Sequence, residues 1–326
     1  MGLRLRPHTY TQPKPLIPVA GKSIVGHMID QLIEAGAKDF IFIIGYLGEK
    51  IQEYVENNYP QIKSTFVHQE QRLGLGHALN IVAPYVAPNE DILIVLGDII
   101  FDADIKSIFE ASKNMLGLKT VDDPRPFGVA ELNDNGSVKN VIEKPKIPKS
   151  NLAITGIYKI VDTKALFEMT AYNIEHEIKT NDEFQLTDAL MGMIKKGIVF
   201  EHFMIKSWYD CGKKEILLET NALLLKRLAE QHSDLQIQSN TTGSIIIQPV
   251  SIGKNCRLSH SIIGPFVSIG DNSTISNSII NQSIIGNYSN LNNVVLEQSI
   301  VGNDASIQGL KQSLNIGDDT EIDFNH

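Results

Sequence analysis

Carboxylates and a lysine that could bind phosphates or a metal ion stand at three places in the chain. Asp98 follows an apolar run at residues 92–96, and Asp210 lies in a Trp-Tyr-Asp-Cys-Gly segment. Between these two places in the chain, Glu143 and Lys144 stand directly before a proline. An Asp at the carboxyl end of a buried strand lies where open α/β sheets bind their ligands. Each carboxylate taken alone is equally typical of a helix cap or an ion pair, so the evidence for a site depends on their combination.

A basic loop opens the chain and adds two cations to this set. Arg4 lies in a Gly-Leu-Arg-Leu-Arg-Pro run that starts at Gly2, and Lys14 begins a Lys-Pro-Leu run. Such a loop taken by itself is usually a solvated segment. Its interpretation changes when it is combined with Asp98, because the two together indicate one ligand-binding edge.

The elements that must position these residues alternate along the first part of the chain. Residues 1–235 alternate short Ile, Val and Leu runs with amphipathic segments, such as 40–44 followed by 48–57. Five-residue aliphatic runs are typical of strands buried on both faces, and the amphipathic segments are typical of crossover helices. The pattern predicts an α/β domain with a mainly parallel sheet and a final helix, at about 213–232, that bridges to the rest.

The composition changes at residue 241. Residues 241–310 hold fourteen Ile but only five Asp, Glu, Lys or Arg. Aliphatic-Gly triplets recur every 15 to 17 residues, and a second aliphatic row is formed by Leu258, Ile275, Leu291 and Ile307. Side chains that recur at this period point inward from stacked coils, while Gly, Asn and Asp supply the turns. The segment 241–326 resembles a left-handed parallel β-helix of hexapeptide-type repeats.

Length, charge and cysteine content exclude several classes of protein. The chain has 326 residues, a net charge of −9 and no apolar run that reaches the roughly 18 residues of a membrane span. The charge argues against a nucleic-acid surface, and no hydrophobic stretch of a signal peptide follows the N-terminus. Cys211 and Cys256 lie in unrelated contexts without zinc-ligand spacing. These features predict a cytoplasmic protein with no nucleic-acid or membrane partner.

Motifs in a fixed order along nearly the whole chain resemble those of one enzyme family, the sugar-1-phosphate nucleotidylyltransferases, of the glucose-1-phosphate thymidylyltransferase type. The matching segments are residues 2–7, Lys14, residues 69–78, Asp98, and residues 123–129, 143–151, 155–158, 183–188 and 208–210. One departure is Leu3, where the family has Thr. The resemblance implies a Rossmann-like nucleotidyltransferase domain with a mixed, mainly parallel sheet. It also implies transfer of a nucleoside monophosphate from dTTP to glucose-1-phosphate, with release of pyrophosphate.

The implied reaction accounts for the residue types. Because the attacking phosphate oxygen is already an anion, no Ser-His pair is needed, and charge neutralisation with in-line positioning carries the catalysis. Mg²⁺ binding is implied for Asp98 and Asp210, since this ion uses one or two carboxylates with phosphate oxygens and water. Arg4 and Lys14 are implied as the catalytic cations that hold the triphosphate.

The remaining implied contacts divide between the sugar and the base. Lys144 is implied in binding the sugar phosphate, and Glu143 in accepting hydrogen bonds from sugar hydroxyls. Gln69, whose amide both donates and accepts, suits the imide edge of thymine or uracil, with Gly74 leaving room for the ring. The other substrate-binding positions let the backbone approach the ligands, and they are Gly2, Gly128, Thr155 and Gly156.

Three other functions stay open. The Leu-Gly-His-Ala run at residues 75–78 also resembles UTP-using glucose-1-phosphate uridylyltransferases, in which UTP replaces dTTP. The second is a bifunctional uridylyltransferase and acetyltransferase, although residues 258–310 offer no Lys or Arg and only His260 as a basic side chain. The third is a non-catalytic regulatory homologue. His77 is predicted to pack or cap rather than to act as an acid or base.

Two further expectations concern the start of the chain and its assembly. The family begins with a buried strand and a glycine turn before the Gly-x-Arg-Leu run, whereas Met1 stands directly before Gly2 here. The resemblance therefore predicts that a first strand, about ten residues with its turn, is missing. The β-helix is predicted to associate copies of the chain into a homo-oligomer.

Overall fold

A computed structural model describes residues 5–88, 90–231 and 240–309. The chain forms two compact units. The first contains the chain up to Ile17 together with Lys22–Thr220, and the second contains Pro18–Gly21 and the chain from Asn221 onward. Among the described residues, no helix is both long enough and apolar enough to cross a membrane. The first unit carries the carboxylates and lysines of the predicted site, and the second carries the repeats.

Helices occur mainly in the first unit. The described residues form the α-helices α1 (Ile24–Glu34), α2 (Gly48–Asn58), α3 (Leu75–Val82), α4 (Ile105–Phe109), α5 (Thr163–Glu175), α6 (Leu186–Lys195) and α7 (Lys214–Gln231), and the 3₁₀-helices His8–Tyr10, Lys14–Leu16 and Ala83–Tyr85. Ser23 begins α1 by accepting a hydrogen bond from Gly26 N at 3.0 Å. Asp104 caps α4 in the same way, because such side chains satisfy amides that the first turn leaves free.

The strands before α7 surround a long central strand, β10. In sequence order they are β1 (Pro18–Val19), β2 (Lys22–Ser23), β3 (Asp39–Ile44), β4 (Lys63–His68), β5 (Ile92–Val95), β6 (Ile99–Asp102), β7 (Asn114–Thr120), β8 (Gly128–Leu132), β9 (Val138–Glu143), β10 (Leu152–Ile160), β11 (Phe200–Met204) and β12 (Ser207–Asp210). The largest sheet has the order β11-β7-β10-β8-β9, and β5 also pairs with β10. β3 and β4 form a parallel pair, and β6 and β12 form an antiparallel one.

The sheet is mixed, as predicted, but its pairing differs in one respect from the expectation. β7 and β11 are parallel, whereas β10 runs antiparallel to β5, β7 and β8, and β8 runs antiparallel to β9. The expectation of a mainly parallel sheet is therefore corrected for the strands around β10. One physical reason is the short connection at residues 133–137, because a short hairpin joins β8 and β9 only as antiparallel strands.

Helices cover both faces of the central sheet. Ile94 of β5 packs into a core with α3, α5 and α6, whereas the adjacent Val95 packs into a core with α1 and α4. Successive side chains of a strand point to opposite faces, so these cores lie on the two sides of the sheet. The layered arrangement confirms the predicted Rossmann-like domain. It also explains the continuous aliphatic run at residues 92–96, which is half-buried and packs against cores on both sides of the sheet.

The second unit contains a stack of short parallel strands. They are β13 (Asn240–Thr242), β14 (Ile245–Ile246), β15 (Val250–Ile252), β16 (Arg257–Ser259), β17 (Ile262–Ile263), β18 (Val267–Ile269), β19 (Thr274–Ser276), β20 (Ile279–Asn281), β21 (Ile284–Ile285), β22 (Asn290–Asn292), β23 (Val295–Glu297), β24 (Ile300–Val301) and β25 (Ser306–Gln308). Three sheets run along the stack, in the orders β13-β16-β19-β22-β25, β14-β17-β20-β23 and β15-β18-β21-β24. This architecture agrees with the predicted left-handed parallel β-helix.

The strand register confirms the repeat rows. Leu258, Ile275, Leu291 and Ile307 pair with one another in successive coils. Aliphatic residues of the Gly triplets do the same, as Ile269 with Ile285. Both rows belong to one aliphatic core inside the stack. The triplet Asn-Ile-Gly at residues 315–317 lies outside the described residues.

A ladder of Asp and Asn side chains links the coils at one turn. Asp271 Oδ1 accepts a hydrogen bond from Lys254 N at 2.7 Å. Asn287 Oδ1 accepts from Asp271 N at 2.8 Å, and Asn303 Oδ1 accepts from Asn287 N at 2.9 Å. Each of these side chains lies against the glycine of the preceding triplet, where a Cβ would clash with it. The backbone N–H at the turn of each of these coils therefore donates to a side chain of the coil that follows.

Candidate active site

A cavity of about 250 Å³ lies in the first unit and collects residues that are far apart in the sequence. Six predicted site residues line it, and they are Asp98, Gly128, Glu143, Thr155, Gly156 and Asp210. They come from the β5–β6 turn and from β8, β9, β10 and β12. A larger cavity of about 430 Å³, beside α4 and β11, contains none of the predicted residues.

Asp98 and Asp210 are brought together by the pairing of two strands. β6 and β12 are antiparallel, with Asp210 opposite Ile99, the residue that follows Asp98. The Cys211 N–H donates to the carbonyl oxygen of Asp98 at 3.2 Å. The two carboxylates therefore lie side by side at the end of a two-stranded ribbon. Their side chains are 41% and 37% exposed, so a ligand can reach them.

Lys14 lies between these carboxylates. Its Nζ donates to Asp98 Oδ2 at 2.7 Å and to Asp210 Oδ1 at 2.9 Å, and only 12% of its side chain is exposed. Burial acts to lower the pKa of Lys14, but the two carboxylates outweigh it, so this pKa lies above its ordinary value of 10.5. Lys14 is therefore a fully charged ammonium ion in the site.

The position of Lys14 shows that the two carboxylates can share one cation. A Mg²⁺ ion binds one or two carboxylates and completes its coordination with phosphate oxygens and water. The described part of the chain contains no group of three or more His, Cys, Asp or Glu residues that could hold a metal ion. Asp98 and Asp210 provide two carboxylates, a number that fits such an ion.

Glu143 and Lys144 lie in different surroundings although they are adjacent. Glu143 has 13% of its side chain exposed, and its Oε2 accepts a hydrogen bond from Thr187 Oγ1 at 3.2 Å. Lys144 Nζ lies 3.4 Å from Glu143 Oε1 and is 51% exposed. Lys144 does not line the cavity, whereas Glu143 and Thr187 both do. Thr187 therefore orients Glu143 inside the cavity, and Lys144 lies at its edge.

Thr155 and Gly156 shape the cavity through their backbone. Gly156 has a φ of +87°, and a Cβ there would lie 2.7 Å from Leu96 Cδ1. Its carbonyl oxygen accepts a hydrogen bond from Leu96 N at 3.0 Å. Thr155 is buried, and its hydroxyl donates to the carbonyl oxygen of Gly117 at 2.9 Å. The hydroxyl of Thr155 thus binds the sheet. A Cβ at Gly128 would lie 3.2 Å from Glu143 Oε2, so this glycine leaves space beside Glu143.

Gln69, Gly74 and His77 form a separate group at the start of α3. Gln69 Nε2 donates to the carbonyl oxygen of Gly74 at 3.0 Å and lies 3.1 Å from His77 Nδ1. Gly74 has a φ of +106°, and a Cβ there would lie 2.5 Å from the Phe184 carbonyl oxygen. The glycine is therefore required by its backbone and by Phe184, independently of a nucleobase. His77 thus contacts Gln69, and its packing or capping role stays a prediction.

Sequence reasoning assigns no role to two aromatic residues that line the cavity. Phe127 and Trp208 pack edge to face with ring centroids 4.8 Å apart. The available signal was their position, since Phe127 precedes Gly128 and Trp208 lies two residues before Asp210. Two predicted residues, Gly2 and Arg4, lie outside the described residues.

Comparison with known proteins identifies the family of the first unit. Residues 1–227 match the family model described as nucleotidyl transferase. A "Bifunctional protein GlmU" of Methanococcus maripaludis is 33% identical over 258 residues, which cover 78% of this chain and 59% of that protein. A glucose-1-phosphate thymidylyltransferase of Streptomyces griseus is 30% identical over 287 residues, which cover 81% of this chain and 79% of that protein.

Solved structures show the same fold. A crystal structure of UDP-glucose pyrophosphorylase complexed with UDP-glucose aligns with a TM-score of 0.60 at 24% identity, over 69% of this chain and 95% of that one. The chain spans about three fifths of the length of curated relatives such as the Methanococcus protein. Since the family model covers well over half of the chain and the folds agree, the chain belongs to the nucleotidyl transferase family.

Proposed function

We propose that the protein transfers a nucleoside monophosphate from a nucleoside triphosphate to a sugar-1-phosphate and releases pyrophosphate. The observation that carries this proposal is the convergence of Asp98, Asp210 and Lys14 beside the cavity that contains Glu143. The transfer joins two polyanions, so it needs positive charge at the phosphates and a fixed in-line approach. The site combines a lysine, a pair of carboxylates for a metal ion and a half-enclosed pocket for a sugar.

The residues of the chain bind and position the phosphates. Lys14, together with Arg4, holds phosphate oxygens of the triphosphate, and Asp98 and Asp210 hold Mg²⁺. When bound, this ion stabilises negative charge on the leaving pyrophosphate. Because the sugar phosphate is already anionic near neutral pH, no side chain has to remove a proton from the nucleophile.

Glu143 is the proposed contact for the sugar. Its carboxylate is held by Thr187 and lines a cavity whose walls include Gly128 and the Phe127–Trp208 pair. Carboxylates accept hydrogen bonds from vicinal hydroxyls, and an aromatic wall packs against the apolar face of a pyranose. Glucose-1-phosphate is therefore the proposed acceptor.

Gln69 is the proposed contact for the nucleobase. Its Nε2 is engaged with Gly74 and His77, which directs the donor side of the amide toward the protein. The carbonyl oxygen is then the group that can accept from the N3–H of thymine or uracil, whereas cytosine has no such proton. dTTP is the proposed donor, and UTP is the alternative, because this contact does not distinguish the two bases.

A panel of assays tests the function and its alternatives. Pyrophosphate release is measured with dTTP, UTP and CTP, each with glucose-1-phosphate and Mg²⁺. We expect release with dTTP or UTP and little with CTP. Acetyl-coenzyme A with glucosamine-1-phosphate tests the bifunctional alternative.

Trp208 is the only Trp of the chain and lines the cavity, so its fluorescence reports binding without turnover. Binding without pyrophosphate release would identify a non-catalytic homologue.

Lys144→Ala is expected to raise the KM for the sugar phosphate by about tenfold or more while changing the KM for the triphosphate less. A hydrogen bond to a charged group contributes about 1.5 to 3 kcal/mol, which corresponds to this range. Initial rates with each substrate varied in turn measure the two constants. Lys146→Ala is the control, because Lys146 is an exposed lysine in the same loop. Equal changes in both KM values would reject the assignment of Lys144 to the sugar phosphate.

The β-helix is proposed to associate copies of the chain through one of its faces, the β14-β17-β20-β23 sheet. Its outward positions pair in the row Ile245, Ile262, Ile279 and Val295. Ile245, Ile279 and Val295 are 61%, 44% and 77% exposed. The equivalent row of the β13-β16-β19-β22-β25 sheet is polar and consists of Arg257, Thr274, Asn290 and Ser306. An exposed aliphatic row of this kind is typical of an interface.

A second copy of the chain is the proposed partner of this face. Residues 241–310 hold two Lys or Arg and three Asp or Glu, a net charge of −1, whereas the whole chain carries −9. Repulsion between two copies is therefore smallest at the β-helix. Ile279→Asp is expected to reduce the mass measured by light scattering to that of a smaller species. Thr274→Asp adds the same charge to the polar face and is expected to leave the mass unchanged. A monomeric wild type, or equal dissociation of both variants, would contradict the assignment.

A further inference from the structure

The ammonium group of Lys14 occupies the point at which the two carboxylates converge. It donates to Asp98 at 2.7 Å and to Asp210 at 2.9 Å, so one cation already bridges the pair. The proposed metal ion and this ammonium group would be held by the same two carboxylates. A metal ion held by both carboxylates at this point would take the place of the ammonium group.

The surroundings of Lys14 are built to accommodate its ammonium group at this point. A Cβ at Gly212 would lie 3.3 Å from Lys14 Nζ and 3.1 Å from Asp210 Oδ1, closer than side chains normally pack, so the glycine leaves the space that the ion pair needs. The backbone of Lys14 lies between Pro13 and Pro15 and accepts a hydrogen bond from Ile17 N at 3.1 Å. Its Cα is thus fixed by short-range geometry, whereas its four-carbon side chain can turn to a new partner.

We infer that Lys14 acts as an internal counter-ion that makes metal binding depend on the triphosphate. The inference rests on the proposed function. In the free protein, the two carboxylates and the ammonium group together carry a single negative charge, which attracts a divalent ion less than two free carboxylates do. A metal ion arriving alone would also leave a lysine that is only 12% exposed without an anionic partner.

The triphosphate removes both obstacles. Its oxygens give the displaced ammonium group a new anionic partner, and they supply the remaining ligands of the metal ion. Metal ion and triphosphate are therefore expected to strengthen each other's binding, as thermodynamic linkage requires. The consequence is that the protein holds little metal until its nucleotide arrives.

Binding of Mn²⁺ alone, measured by electron paramagnetic resonance of the free ion, tests this inference without any turnover. Lys14→Met and Lys14→Gln remove the charge and keep much of the side-chain volume. We expect both variants to bind Mn²⁺ at least about tenfold more tightly than the wild type in the absence of nucleotide. Adding Asp98→Asn to Lys14→Met is expected to abolish the gain, which locates the bound ion.

Lys22→Met is the matched control. Lys22 is paired with Asp30, away from the carboxylate pair, and its removal changes the net charge by the same amount. We expect its Mn²⁺ affinity to equal that of the wild type. Equal affinities of the wild type and both Lys14 variants, including no measurable binding by any of them, would overturn the inference, as would an equal gain in Lys22→Met. If the Lys14 variants gain Mn²⁺ affinity but the wild type releases no pyrophosphate, the proposed transfer is rejected and only the counter-ion role of Lys14 remains. If the wild type releases pyrophosphate but the variants show no gain, the counter-ion role is rejected and the proposed transfer remains.

Discussion

Asp98→Asn and Asp210→Asn are each expected to lower the turnover number by about a thousandfold while the protein stays folded. Asn keeps the size of the side chain and removes one of the two negative charges that bind the metal ion. The stabilisation that a metal ion gives to developing phosphate charge is several kcal/mol, and about 4 kcal/mol corresponds to three orders of magnitude in rate. Pyrophosphate release at saturating substrates and Mg²⁺ measures the loss.

Stability measurements separate this effect from unfolding. Both carboxylates are more than a third exposed, and ion pairs at that exposure contribute little to folding, so the thermal midpoint is expected to change by only a few degrees. Asp39→Asn is the control, because Asp39 pairs with Lys63 on an exposed edge outside the cavity. Full Mg²⁺-dependent activity in either Asp98→Asn or Asp210→Asn would remove that residue from the metal site.

Gly156→Ala is expected to destabilise the first unit by about 2 to 5 kcal/mol. The φ of +87° costs an L-residue about 1 to 2 kcal/mol, and a Cβ 2.7 Å from Leu96 adds an overpacking cost of about 1 to 3 kcal/mol. The corresponding fall in the thermal midpoint is about 4 to 20 °C. Pyrophosphate release is also expected to fall, because Leu96 lies two residues before Asp98.

Gly136→Ala provides a matched control for the backbone strain. Gly136 has a φ of +83°, but a Cβ there would meet no atom within 4 Å. Its substitution is therefore expected to cost only about 1 to 2 kcal/mol, and the difference between the two variants isolates the contact with Leu96. Circular dichroism melts of the wild type and both variants give the comparison. Equal midpoints for the two variants would show that the approach of Leu96 does not matter.

The parts of the fold that follow from local sequence could be predicted. The inward rows of the β-helix repeat every 16 or 17 residues, so their register follows from spacing alone, as the pairing of Leu258 with Ile275 shows. The run at residues 92–96 likewise indicates a strand buried on both faces. The antiparallel surroundings of β10 could not be predicted in the same way, because they depend on which distant strands meet, and no local pattern specifies that choice.

The candidate site likewise contains residues that could be predicted from the sequence and contacts that could not. Asp98 could be singled out because it ends a buried strand, and Asp210 because of its motif. The sequence indicates that Lys14 belongs to the same edge, but it offers no sign that the ammonium group pairs with both carboxylates. That arrangement depends on the pairing of β6 with β12 and on a separate loop. Thr187, which orients Glu143, is also found only in three dimensions. Partners of a side chain across long separations are set by tertiary packing rather than by residue type.

The Asp and Asn ladder of the β-helix has a consequence for how its length can change. The side chain of Asp271 accepts a hydrogen bond from the turn of the coil before it, and its backbone N–H donates to Asn287 of the coil after it. A coil of this kind accepts a hydrogen bond from the coil before it and donates one to the coil after it. A duplicated coil of 16 or 17 residues would therefore fit between its neighbours without altering their hydrogen bonds. Insertion of a single residue would instead move both the Asp or Asn of the ladder and the inward aliphatic residue out of register with the next coil. The β-helix can therefore lengthen or shorten only in whole coils.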